Sequence, residues 1–127
     1  MSAPTPTTSL ITTGKSFVAT WNAVWANTDV LTDGIVVDLS GLPYTNRMRI
    51  FKIHIAATAG ISATLEFDAS SDVQIYRHPV GVVGNIVLDY ADIDGLQPDT
   101  GSEDIVVTSS SQASGDEISI VVIGTCA

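Results

Sequence analysis

The 127-residue chain is 45% hydrophobic and 15% charged, which suits one globular domain and excludes a disordered chain. Fourteen acidic residues against five lysines and arginines give a net charge of −9, which disfavours nucleic acid as a ligand because phosphates are bound by basic side chains. The single cysteine excludes a disulfide framework within the chain, and no apolar run approaches the ~20 residues that span a membrane.

The first fourteen residues are rich in Thr, Ser and Pro, and Pro4 and Pro6 disfavour a regular β ladder there. We predict a flexible arm over residues 1–14, followed by a β domain over residues 15–127. A disordered terminus and a strap that orders against a neighbouring subunit both fit this composition. In the second case Thr5, Thr7 and Thr8 contact the partner.

After the arm, apolar and polar residues alternate with period two, which is typical of strands with one buried and one solvated face. The clearest case is Ala63, Leu65 and Phe67, each followed by a polar residue. Seven further segments show the pattern, at 17–21, 35–39, 51–55, 73–75, 86–90, 105–107 and 118–122. We predict an all-β fold, an antiparallel two-sheet β-sandwich of about eight strands, with a jelly roll as its topology.

Several strands contain apolar residues at consecutive positions, which favours burial of both strand faces. In a small sandwich we expect only another chain to cover the outer face, so the sequence predicts a homo-oligomer. A few exposed valines on a monomer are the alternative interpretation. The positions are Val36–Val37, Val87–Leu88, Val106–Val107 and 121–123.

The segment 91–104 is acidic and contains no basic residue. Carboxylates suit calcium, but if Gly95 were the turn glycine of a calcium loop, Tyr90 and Gly101 would occupy ligand positions. We therefore predict a solvated loop without a metal, and no cofactor elsewhere. Its candidate contact residues are Asp92, Asp94, Asp99 and Glu103.

Positive charge is concentrated at Arg47, Arg49 and Lys52. Arg49 and Lys52 fall on opposite faces if their strand is regular. One hypothesis is that Arg47 and Arg49 of one copy meet the acidic loop of the next around a ring. Scattered solvated charges are the alternative.

Trp21 is in phase with the core residues Phe17 and Ala19, whereas Trp25 lies among polar residues and is predicted to be exposed and to bind a partner. Both histidines, His54 and His78, are expected at the surface. The serines lie in no nucleophile motif, and no glycine-rich phosphate loop exists. We predict a protein without catalytic residues.

The segment Thr5-Pro6-Thr7-Thr8, the nearly helix-free body, the acidic balance and the acidic turn 115–117 before the apolar strand 118–122 resemble the small β-sandwich decoration, or cement, proteins of tailed-phage heads. The resemblance implies a trimer made in the host cytoplasm that sits on the outside of the virion and bridges capsid protein subunits. The alternative function is a carbohydrate- or receptor-binding module that uses Trp25 and Tyr76 as stacking platforms, with calcium in the acidic loop.

Overall fold

The computed structural model describes residues 4–26, 30–68, 73–93, 95–97, 103–109 and 112–127. Within these ranges nine β-strands form, together with two short 3₁₀ turns at Leu39–Gly41 and Ala91–Ile93. The strands are β1 (Thr7–Thr13), β2 (Ser16–Val24), β3 (Leu31–Val37), β4 (Met48–Ala57), β5 (Ala63–Asp68), β6 (Val73–His78), β7 (Gly84–Asp89), β8 (Asp104–Ser109) and β9 (Glu117–Cys126).

The strands form two antiparallel sheets. One has five strands in the order β1-β2-β9-β4-β7, and the other has four in the order β3-β8-β5-β6. Without β1, these are the two four-stranded sheets of a jelly roll, in which the first strand of the roll, β2, pairs with the last, β9. The prediction of an all-β jelly-roll sandwich is confirmed, and all eight predicted strands form.

The additional strand, β1, consists of residues that the sequence analysis assigned to the arm. Residues 7–13 pair in register with residues 16–22 of β2 across the turn Gly14–Lys15. Gly14 has a φ of 59°, the conformation that a type II′ hairpin requires at its first turn residue. The sandwich therefore begins at Thr7, after both prolines. All seven side chains of β1 are exposed, so this strand produces no hydrophobic alternation.

The core lies between the sheets and consists mainly of side chains that point inward from the strands, together with a few from the connecting segments, such as Ile61. Each fully buried large apolar side chain of this kind contributes about 1.5–3 kcal/mol relative to exposure. The largest are Phe17, Trp21, Trp25, Met48, Ile50, Ile53, Ile61, Phe67, Ile105, Ile118 and Ile120.

A β-bulge in β4 changes which face its residues occupy. The register with β9 shifts between Ile50 and Lys52, so that Ile50 and Ile53 are both buried. Arg49 and Lys52 consequently both lie on the outer side of the sheet, rather than on opposite faces. Phe51 is only half-buried and does not belong to the buried core, in contrast to its predicted place on the inner face with Ile53.

Two of the apolar pairs that predicted an oligomer are accommodated within one chain. Val36 and Val37 are both buried because β3 is irregular between Ile35 and Val37. Val106 is completely buried in the single chain. The expectation that only a partner could bury such residues is therefore wrong for these positions. Val87, Val121 and Ile123 still have solvent-accessible side chains, and they lie on the five-stranded sheet.

Candidate functional site

The side of the five-stranded sheet that faces away from the core, here called the outer face, carries an apolar row. Cross-strand pairing sets Ile11 opposite Val18, and Val18 opposite Ile123. These three side chains and Phe51 border a groove of about 330 Å³. Ile11 has 65% of its surface exposed. The row is thus a solvent-accessible apolar strip across β1, β2 and β9. Phe51 extends it to β4 at the bulge, where the exposed Lys52 pairs with Ile123.

The next rows of the outer face are uncharged or weakly polar. Ser9 and Thr20 share a hydrogen bond of 2.5 Å between their hydroxyl oxygens, and Asn22 donates to the Ser119 hydroxyl at 2.6 Å. Acidic side chains occur only at the ends of these strands, at Glu117 and Asp89. Across the middle of the face the paired residues are Ser9, Thr20, Val121, His54 and Val87 in one row, and Thr7, Asn22, Ser119, Ala56 and Asn85 in the next.

One end of the sandwich is basic. Lys15 in the β1–β2 turn joins Arg47 and Arg49 around a groove of about 300 Å³, although Lys15 lies far from them in the sequence. The Lys15 ammonium lies 5.6 Å from the centre of the Tyr44 ring, within the range of a cation–π interaction. The tertiary structure therefore gathers three of the five lysines and arginines at one place.

The acidic loop packs beside β4 of its own chain. Ile50 and Leu96 exchange two backbone hydrogen bonds of 2.8 and 2.7 Å. With its amide oriented to satisfy hydrogen bonding, the Gln97 oxygen accepts from Arg49 Nη2 at 2.7 Å and from Nε at 3.0 Å. Arg49 is therefore engaged by Gln97 of its own chain, and its contact with the loop of a second copy stays a prediction.

The predicted acidic contact residues differ in their exposure to solvent. Asp92 is exposed, whereas Glu103 is buried and does not present a carboxylate at the surface, contrary to expectation. Asp94 and Asp99 lie outside the described residues. In the part of the chain that the structure describes, no group of three or more His, Cys, Asp or Glu side chains is placed to hold a metal ion.

The prediction that Trp25 is exposed is wrong, since only 1% of its surface is accessible. The backbone N–H of Trp25 donates to the Asp116 carbonyl at 2.9 Å, and the backbone carbonyl of Trp25 accepts from the Gly115 N–H at 2.7 Å. These bonds extend the alternation of inward and outward side chains in β2 by one residue beyond Val24. The Trp25 indole therefore points into the core. Of its polar neighbours in the sequence, Asn22 points to the opposite side of β2, and residues 27–29 lie outside the described residues.

The prediction of a surface position is also wrong for His78, which is buried. Its Nε2 lies 3.0 Å from the Val82 carbonyl and its Nδ1 lies 3.3 Å from the Tyr76 hydroxyl. A carbonyl can only accept, so Nε2 carries a hydrogen and donates it to Val82, while Nδ1 shares the second hydrogen bond with the Tyr76 hydroxyl. These two partners compensate for the lost hydration. The half-buried His54 lies on the outer face, opposite Val121 and Val87.

Of the predicted arm contacts, Thr7 and Thr8 are exposed positions in β1, and Thr5 is exposed just before it. Arg47 is exposed in the loop before β4. The residues predicted from the sequence thus lie at two places, the β1 strand and the basic end. In the apolar row, Ile123 belongs to the segment 121–123 that predicted an oligomer, whereas Ile11, Val18 and Phe51 were not predicted to lie on an outer face.

The fold defines the class of jelly-roll β-sandwiches. No family model matches the sequence, and no curated protein matches it. A solved cupin domain from Bordetella pertussis Tohama I aligns over 97% of both chains with 9% sequence identity and a TM-score of 0.40. A similarity at this level carries no argument about activity. Among the described residues, no helix is both long and apolar enough to cross a bilayer.

Proposed function

We propose that this protein is a structural component of a virion, an oligomeric decoration protein that binds the shell of capsid protein subunits from outside and stabilises it. The observation that carries the proposal is the outer face of the five-stranded sheet. Its apolar row and groove are accessible in the single chain, although the chain as a whole carries a net charge of −9. Exposed apolar strips of this kind are typical of protein-binding surfaces.

The charge distribution supports a protein partner rather than nucleic acid. The net charge of −9 repels phosphate, and a decoration protein works on the side of the capsid away from the DNA. The middle rows of the outer face contain no carboxylate, so docking there removes no acidic group from water. The exposed Arg47 and Lys15 lie beside this face at the basic end and suit carboxylates of a partner.

The alternative function, a carbohydrate- or receptor-binding module, receives less support. Its principal platform was Trp25, which is buried, and Tyr76 is half-buried with its hydroxyl directed at His78. An aromatic side chain must present its face to solvent in order to stack on a sugar ring. We therefore propose a binding role based on protein contacts, without catalysis.

The proposal predicts that the protein is found in purified virus particles from the culture that produces it. Particles stripped of the protein should release DNA at a lower temperature, and the purified chain should restore the release temperature when it is added back. Failure to find the protein in particles, or addition without any gain in heat stability, would contradict the proposal.

The contact surface is tested with two substitutions that each add one carboxylate. Val121→Glu places it in the middle of the outer face, whereas Val83→Glu places it on an exposed position outside that face. Burying an unpaired carboxylate at an interface costs more than ~1.4 kcal/mol, the binding free energy that corresponds to a factor of ten in affinity, so binding should weaken by more than about tenfold. We expect this loss of particle binding for Val121→Glu only. Equal binding by both variants would exclude the outer face as the contact surface.

A further inference from the structure

The sandwich has four edge strands, β1 and β7 in one sheet and β3 and β6 in the other. Three of them carry features that hinder pairing with another chain. The register of β3 shifts twice and that of β6 shifts once, and β7 ends in the charged Asp89. β1 differs from these three. It pairs with β2 without a shift and contains no charge, no proline and no buried side chain.

The backbone of β1 presents a regular set of free groups. Because the β1–β2 turn has two residues, Thr13 and Ser16 form the hydrogen-bonded pair next to it. Hydrogen-bonded and non-hydrogen-bonded pairs then alternate along the hairpin. Residues 7, 9, 11 and 13 direct their N–H and C=O groups toward β2. Thr8, Leu10 and Thr12 direct theirs away from the sheet.

The sequence of β1 is nearly the same in both directions about Leu10. Thr7 and Thr8 mirror Thr13 and Thr12, and only Ser9 and Ile11 differ. If two copies of β1 pair antiparallel about Leu10, each residue whose backbone N–H and C=O point away from its own sheet lies opposite such a residue of the other copy. Leu10 lies opposite Leu10 of the second copy, and Thr8 lies opposite Thr12. All three pairs can exchange two hydrogen bonds each.

We propose that β1 pairs with β1 of a second copy about a two-fold axis at Leu10, so that the two five-stranded sheets become one continuous sheet. The inference specifies the homo-oligomer of the proposed function, but it does not depend on a role in a virion. It replaces the trimer implied by the family resemblance with an assembly built from two-fold pairs. Such an interface is isologous and closes on itself.

The side chains of β1 support this register. Leu10, 44% exposed, lines a cleft of about 410 Å³ beside the apolar Ile35 and Val36 of β3. Pairing about Leu10 brings the two Leu10 side chains together at this cleft and covers each Ile11 with Ser9 of the other copy. Pro6, which has no N–H to donate, falls opposite the Gly14 turn, where the ladder ends. Both apolar side chains of β1 thus lose exposure.

Electrostatic repulsion does not oppose the contact, although each copy carries a net charge of −9. The paired segments contain no charged residue, and Lys15 falls opposite the neutral Thr5 of the second copy. Acidic groups beyond a distance of ~10 Å from one another are largely screened at ordinary salt concentration. A strand from an unrelated protein could also use the free edge, but it would gain nothing from the symmetry of the β1 sequence.

The register is tested with two double variants at the same positions, measured by native mass spectrometry and sedimentation velocity. Thr8→Lys with Thr12→Lys sets lysines opposite each other across the proposed interface. Thr8→Lys with Thr12→Glu sets each lysine opposite a glutamate. We expect a wild-type dimer, a dissociation constant at least about tenfold higher for the first variant, and a restored dimer for the second. Circular dichroism and thermal melting establish that both variants remain folded.

Three results would overturn the proposal: a wild-type monomer at micromolar concentration, a wild-type trimer, or equal behaviour of the two double variants. A positive result for the register can coexist with absence of the protein from virus particles. In that case the proposed function fails and the dimer stands. The two proposals are therefore separately testable.

Cross-linking gives an independent measurement. Leu10→Cys places two thiols opposite each other, with a Cα separation of about 5.5 Å that a disulfide can span. Ile11→Cys introduces a thiol at a more exposed position of β1, but there it faces Ser9 of the second copy rather than a second thiol. Cys126 is buried and serves as the unchanged background. We expect a disulfide-linked dimer for Leu10→Cys and little for Ile11→Cys. Equal cross-linking would contradict the register.

Discussion

Replacing Trp25 with alanine should destabilise the fold strongly. The indole is 1% exposed and packs in the core, where Trp side chains bury about 150–250 Å². At about 25 cal/mol per Å² this corresponds to ~4–6 kcal/mol, close to the ~3–5 kcal/mol typical of Trp→Ala in cores. A domain of this size has a total stability of only ~5–15 kcal/mol. We therefore expect Trp25→Ala to lose about 4 kcal/mol and to be partly unfolded if the wild type is marginal.

The free energy of unfolding is measured by urea denaturation, with Trp21 as the remaining fluorescence reporter and circular dichroism as a second probe. The neighbouring Val24→Ala is the control, because Val24 is half exposed and should change stability by no more than about 0.5 kcal/mol. If Trp25→Ala lost less than about 1 kcal/mol, the indole would not be a core residue. The sugar-stacking alternative would then regain its platform.

Three further substitutions test other parts of the fold. Asp116→Ala removes a carboxylate that accepts hydrogen bonds at both oxygens and should lower the free energy of unfolding by about 2 kcal/mol or more. The control is Asp92→Ala, which removes an exposed carboxylate and should have little effect; both are measured by urea denaturation. Gly124→Ala should cost about 1–3 kcal/mol in the same assay, because a Cβ there overlaps a backbone carbonyl of β4. Burial raises the pKa of Tyr90 above its usual value near 10, so stability should be unaffected at neutral pH and should fall as the pH rises above that value. Tyr90→Phe should abolish this part of the alkaline loss and remove one late tyrosinate step from the absorbance titration.

The period-two alternation was sufficient to predict the sandwich, because it is regular in strands such as β2, β5 and β9, each of which buries one face. The same reasoning could not detect β1, whose side chains are all exposed, so that its edge position produces no hydrophobic pattern. Bulges have a similar effect. A single extra residue near Phe51 or at Val36 reverses the inward face, and nothing in the local composition signals it.

The site was less predictable than the fold, because its residues come together only through tertiary structure. Lys15 joins Arg47 and Arg49 because β9 pairs with both β2 and β4, and the composition of these segments does not reveal that pairing. Trp25 was assigned to the surface from its polar neighbours in the sequence, yet backbone bonds to the loop before β9 hold it in the core. Local polarity is a poor guide at a strand end, where the chain is about to turn.

The position of β9 determines when the protein can fold during synthesis. This strand comes last in chain order, yet it lies between β2 and β4 and pairs with both. Before residues 117–126 leave the ribosome, the five-stranded sheet exists only as a β1–β2 hairpin and a separate β4–β7 pair. Contacts between residues about a hundred positions apart also close slowly, because a long loop must be ordered first. The nascent chain must therefore keep its apolar strands from aggregating until residues 117–126 have been synthesised.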